Sequence, residues 1–287
     1  MMVDAIGRRP HRESSARDMR QASRFKRYLG VDLGGGRGKK TSLAILEASG
    51  EGANVVGLLP RPREAPLYDE RLVDVILAHA EGALLCIDAP LSLPPCAICR
   101  LAVCPGVSRC VDPEVALLRE MGRRAQPPAD GRDCRRGRPV VTPYTQRATD
   151  VHLDKVRHLL GREALGQGTG PLAARAVFLC RALAAHFRLD ENLLEVSPRA
   201  ALSELGFREP YKKHVDRRID ILAKLPDLAF APGVWRETCR QSDNAFDAVM
   251  SAYAGVLASR DAWPPRRDRP AGLPAQRSWI WIPPARD

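Results

Sequence analysis

Three short apolar runs in this chain end on a carboxylate and are then broken by glycine or proline. Tyr28-Leu29-Gly30-Val31-Asp32 runs into Gly34, Gly35, Gly36 and Gly38. Leu84-Leu85-Cys86-Ile87-Asp88 runs into Pro90, Pro94 and Pro95. Asn192-Leu193-Leu194-Glu195-Val196 runs into Ser197-Pro198. Apolar runs of this length between breakers read as buried strands. An acid at the end of such a strand stays near solvent, because burying an unpaired carboxylate is costly. Sites of α/β proteins are built at the carboxyl edge of the sheet, where these acids would lie.

The segments between the runs complete the expectation. Thr41 to Leu46 and Val55 to Leu59 read as two further strands with short turns, so the first three strands form an antiparallel meander. Asp69 to Ala80 carries Leu72, Val73, Ile76 and Leu77 at helical spacing before the run that ends at Asp88. Helices follow over Pro171 to Phe187, Ser197 or Pro198 to Leu205, Val215 to Leu225 and Ser242 to Ser259, and Trp279 to Ile282 reads as a closing edge strand. The expected class is α/β, a mixed sheet flanked by helices. Residues 28–262 would form that domain, with 94–149 as a Cys-, Pro- and Arg-rich insertion and 263–287 as a C-terminal extension.

Residues 1–27 are rich in arginine, from Arg8 to Arg27, and contain no apolar stretch of the kind a secretory signal needs. They read as a disordered basic tail, or as translation assigned from too far upstream. No stretch approaches the roughly 20 apolar residues that cross a bilayer, so a cytoplasmic protein is expected. The formal net charge of +11 favours polyanionic partners, nucleic acid above all. The alternative is a charged surface that only keeps the protein solvated.

Asp243 and Asp247 lie four apart at the start of the last long helix and so face the same way. Asp243 also suits a helix N-cap. Asp32, Asp88, Glu195 and this pair can converge on Mg²⁺ or Mn²⁺, since hard cations take oxygen ligands. Taken singly, each acid also suits a cap or a turn. Glu195 could instead cap the helix after it or pair with Arg199.

Cys96, Cys99, Cys104 and Cys110 form C-x2-C-x4-C-x5-C in a stretch with no apolar periodicity, and Cys134 lies further along it. Thiolates at this density suit Zn²⁺ or an iron–sulfur cluster. Reduced loop thiols or an adventitious disulfide are the plainer readings.

Gly30-Val31-Asp32-Leu33-Gly34-Gly35-Gly36, Ile87-Asp88-Ala89-Pro90-Leu91-Ser92-Leu93-Pro94, Glu195-Val196-Ser197-Pro198, Tyr211-Lys212-Lys213 and Asp243-Asn244-Ala245-Phe246-Asp247-Ala248 together resemble the DUF429 family, described as predicted RNase H-like nucleases. The resemblance spans roughly Tyr28 to Ser259. It implies an RNase H-like fold, with Asp32, Asp88, Asp243 and Asp247 as metal ligands and Glu195 as a further catalytic acid. It also implies phosphate contacts from Arg147, Lys212 and Lys213, for which plain surface charge is the alternative. Two rivals remain. An actin- or sugar-kinase-like ATPase would use the glycines after Asp32 and those of Gly166-Gln167-Gly168-Thr169-Gly170. A basic nucleic-acid-binding protein would need no catalysis.

Overall fold

The structure is a computed structural model and describes residues 24–284, apart from 36–39, 62, 125–140, 160–162, 234 and 261–267. Most of the basic tail, Gly36, Gly38 and Cys134 therefore lie outside the described residues. Strands β1 (Arg27–Asp32), β2 (Ser42–Ser49) and β3 (Gly52–Leu59) form the expected antiparallel meander. The β2–β3 turn passes through Gly50, whose φ of 57° suits glycine. Helix α1 (Asp69–Ala78) then leads to β4 (Ala83–Asp88), which pairs parallel to β1.

The sheet has as many strands as the sequence reading, but its last member is a different one. Its order is β5-β4-β1-β2-β3-β6, six strands in all. Strand β5 (Leu193–Glu195) lies parallel to β4, and β6 (Leu228–Phe230) lies parallel to β3. At three residues β6 is too short to show a period, and it follows a turn instead of an apolar run. The stretch from Trp279 does not close the sheet as a strand. It touches β5 through a single bridge, in which Trp281 N donates to Glu195 O at 2.8 Å.

Between β4 and β5 come α2 (Pro113–Arg124), the one-turn α3 (Ala148–Val151) and α4 (Gly170–Ala182). Helix α4 ends earlier than its apolar pattern predicts, and the chain from Leu183 continues in turns. After β5 come α5 (Pro198–Glu204), α6 (Val215–Ala223), α7 (Trp235–Gln241) and α8 (Asp243–Arg260). Among the described residues, no helix is long and apolar enough to cross a membrane.

Each sheet face has its own core, as strand alternation requires. Tyr28, Leu84, Cys86 and Leu194 pack with α8 on one face. Leu29, Val31, Leu85, Ile87 and Leu193 pack on the other with residues of α1 and α4. Helix α8 is buried almost all round, from Ala245 to Ala258, as a helix enclosed by the core should be. It lies unusually close to β1. A Cβ added to Gly30 would sit 2.1 Å from Ala248 O and 2.3 Å from Ala252 N, so a side chain there would push the helix off the sheet.

Gly30→Ala is therefore expected to destabilise the protein by at least the roughly 1–3 kcal/mol typical of overpacking. A Cβ on Gly272 meets nothing within 4 Å, so Gly272→Ala should change stability little. Urea unfolding of the two variants checks this. Equal midpoints would contradict the packing argument.

Candidate metal centre

The pairing of β1 with β4 sets Asp32 opposite Asp88, so both acids leave the sheet edge on one face. That face carries α8. Ser242 caps this helix, its Oγ accepting from Ala245 N at 3.2 Å, so the N-cap role falls to Ser242 and Asp243 becomes the first helical residue. One turn further in, Asp247 is 1% exposed and points back over the strand ends. Ligand oxygens of Asp32, Asp88 and Asp247 lie within 4.8 Å of one another. Oxygens that share one ion at 2.0–2.6 Å sit about 3–5 Å apart, so the spacing fits a hard divalent cation.

The surroundings hold these carboxylates in place but do not neutralise them. Tyr211 Oη donates to Asp247 Oδ1 at 2.6 Å, and Lys212 Nζ lies 2.8 Å from Asp247 Oδ2. Burial raises the Asp247 carboxyl, and Lys212 and Tyr211 oppose that rise. Burial, followed by the charges of Asp88 and Asp247, pushes Asp32 up to about 8, with Lys212 acting against them. Burial and then Asp247 drive the Tyr211 phenol upward, so it remains a donor. Ionised together, the three carboxylates would outnumber the one lysine that faces them. An all-oxygen donor set with that surplus is suited to Mg²⁺ or Mn²⁺. The acids border a cleft of about 220 Å³ that Arg199, Thr169 and Lys212 also line.

The other expected ligands fall elsewhere. Asp243 is half-buried, accepts from Asn244 N at 3.1 Å and raises Asp32 electrostatically, but it is not one of the three converging acids. Glu195 is paired in register with Ile87, one residue short of Asp88, and so projects to the opposite face. There it accepts from Leu91 N at 2.9 Å and from Arg147 Nη1 and Nη2 at 2.7 and 2.8 Å. It neither caps α5, a role taken by Ser197 Oγ toward Ala200 N, nor pairs with Arg199.

Arg147 needs a correction. It is 2% exposed, and all five guanidinium donors are engaged. Nε and Nη2 reach Asp150 at 3.3 and 2.7 Å, Nη1 and Nη2 reach Glu195, and Nη1 also reaches Ser278 Oγ at 2.9 Å. It is a buried structural cation with nothing left for a phosphate. Lys212 is half-exposed and turned onto Asp247, and Lys213 is exposed beside it. The four clustered cysteines are free, and no three of their sulfurs lie within 4.8 Å of one another.

Sequence reasoning gave no role to Tyr211, Asp150 or Ser278. The first two left a signal. Tyr211 adjoins the lysine motif, and Asp150 stands three residues after Arg147. Nothing local marks Ser278, whose bond to Arg147 crosses 131 residues.

Asp32 stays protonated in the folded protein up to about pH 8, whereas an unfolded chain ionises near 3.9. The folded state thus holds the extra proton, and stability should fall as pH rises through that window. In chelator, the melting temperature is expected to drop from pH 5 to pH 8. Asp32→Asn should shrink the drop and leave the metal-free protein more stable at pH 8, each 1 kcal/mol being worth about 2–4 °C. Thermal melts across this range decide it, and superimposable wild-type and variant profiles would refute the charge argument.

Buried Arg147 gives a second test. Arg147→Met strands Glu195 and Asp150 in the interior, at an expected cost of about 3–5 kcal/mol. Denaturant unfolding measures this, and a loss below 1 kcal/mol would contradict the network.

No curated protein and no solved structure matches the chain. One family model does, over residues 30–270, and its description is a protein of unknown function. That match takes in every strand but the first three residues of β1, the three converging acids and the cysteines, and on it the chain belongs to the DUF429 family.

Proposed function

We propose that this protein is a divalent-metal-dependent nuclease that hydrolyses phosphodiester bonds in DNA or RNA, with Asp32, Asp88 and Asp247 as the residues that hold Mg²⁺ or Mn²⁺. The convergence of these three carboxylates within 4.8 Å carries the reading. The strand order supports an RNase H-like core, in which a three-stranded antiparallel meander is extended by parallel strands beyond β1. The net charge of +11 favours a polyanionic substrate.

Bound divalent metal would supply a water made acidic enough to deprotonate near neutral pH and a positive charge beside the leaving oxygen. The chain's own residues do the rest. Asp32 and Asp88, fixed by strand register, give the site a rigid floor, and Asp247 closes it from α8. Tyr211 holds one oxygen of Asp247, which sets the direction of the other. Lys212 balances Asp247 before substrate arrives. Half-exposed at the mouth of the cleft, its ammonium is placed to pair with a phosphate oxygen. Lys213 and Arg199, both exposed, extend the positive rim.

The test is a panel of labelled single-stranded, duplex and branched DNA and RNA, incubated with Mn²⁺, Mg²⁺ or chelator. Cleavage is expected with metal only. Asp32→Asn should reduce it to background and leave binding in place, because Asn keeps the shape of the side chain and loses its charge. Replacing Lys212 and Lys213 together should weaken binding alike across sequences. It should also flatten the salt dependence by about 0.9 per lost contact on duplex, or about 0.7 on single strands. Absence of cleavage on every substrate, together with ATP hydrolysis that depends on Asp32, would replace this reading with a kinase-like one.

A further inference from the structure

The stretch from Ile98 to Val111, between β4 and α2, lacks the apolar packing of the domain around it. Ile98, Leu101, Val103, Val107 and Val111 are all exposed, so this loop has no apolar core. It is tied down mainly at its ends. Cys96 N donates to Pro143 O, the Asp112 carboxylate accepts from Glu114 N and Val115 N at the start of α2, and Arg119 reaches back to Val107 O and Ser108 O. Four thiols are nevertheless gathered here, on a short 3₁₀ turn (Pro95–Ile98) and the loop that follows.

We propose that Cys96, Cys99, Cys104 and Cys110 form a structural Zn²⁺ site that closes this loop. Three observations support it. The spacing C-x2-C-x4-C-x5-C packs four soft ligands into a segment that lacks other folding energy, and a structural zinc supplies folding energy outright. The turn at Cys104-Pro105-Gly106 aims an amide at sulfur: Gly106 N lies 3.4 Å from Cys104 Sγ, and its φ of 80° makes that approach available to glycine. Finally, Cys110, Cys104 and Cys99 all bear electrostatically on Cys96, so the four lie in one neighbourhood.

The sulfurs are not yet at ligand spacing, since no three lie within 4.8 Å of one another, whereas sulfurs around a tetrahedral zinc at about 2.3 Å are roughly 3.8 Å apart. Binding would therefore draw the loop inward, and closure and metal uptake would be one event. A tetrathiolate zinc is a net dianion, and Arg100 and Arg109 stand in the same loop to offset it. The site shares no residue with the acidic cleft and would be structural.

The experiment uses the full chain purified under reducing conditions. Elemental analysis should give about one zinc per chain, retained in Asp32→Asn and Cys180→Ser and lost when Cys99→Ser and Cys104→Ser are combined. Wild-type protein reconstituted with Co²⁺ should show thiolate-to-cobalt charge-transfer bands and the visible bands of a tetrahedral site. This reading stands even if the double variant fails to fold. Alkylation should spare the four thiols until chelator is added. Zinc retained by the double variant, four thiols that react freely with no cobalt spectrum after reconstitution, or an iron–sulfur absorption in place of zinc would each overturn the proposal.

Discussion

The contact on which the rest of the molecule depends is backbone against backbone. At Gly30 the sheet has no side chain, and the main chain of α8 at Ala248 and Ala252 fills the space. The same economy recurs at Gly255, where a Cβ would sit 2.6 Å from Cys86 Sγ. Small residues on both partners bring the helix axis close to the strands. Asp247, adjacent to Ala248 in the chain, is thereby carried over the ends of β1 and β4. With a larger residue at position 30, the third carboxylate would stand away from the other two. The acidic site is thus a consequence of packing two residues away in the strand as much as of the acids themselves.

Strand parity then divides the charged groups into two systems with different characters. Asp32 and Asp88 emerge on the α8 face, where burial and crowding with Asp247 hold a proton on Asp32 up to about pH 8. Glu195, one register step out of phase, emerges on the other face and shares the guanidinium of Arg147 with Asp150. One system crowds three acids beside the cleft, while the other, whose Arg147, Asp150 and Glu195 line the same cleft, is saturated with hydrogen bonds and almost wholly buried. Removing a carboxylate from the first relieves repulsion. Removing a member of the second strands a buried charge. The two sets look alike as acids at strand ends and differ in kind once the pleat is counted.

Much of this was legible in the residues. The meander, the strand that ends at Asp88 and the long helix from Asp243 follow from apolar runs and breakers, because those patterns are local. Asp32, Asp88 and Asp247 could be singled out because each lies at, or one turn from, the end of an element. Parity across β4 and β5 was not legible, since it depends on which residue of a three-residue strand pairs with Ile87. For that reason Glu195 resembled a ligand and Arg147 a surface cation. Strand β6 escaped because its place is set by pairing with β3 and not by a period of its own.

The Arg147 network draws its members from widely separated parts of the chain. Ser278 contributes an Oγ to Arg147, and Ser92 Oγ bonds both Ser278 Oγ, at 2.8 Å, and Ser278 N, at 3.1 Å. Trp281 N meets the backbone of β5 only three residues later. During synthesis, the meander, β4 and even α8 can emerge before these last partners exist. Until then, the guanidinium of Arg147 lacks one of its acceptors, and Glu195 O lacks the donor it receives from Trp281 N. The segment around Ser278 and Trp281 therefore acts as a latch, which ties the interior polar cluster and the margin of the sheet to the same stretch of chain.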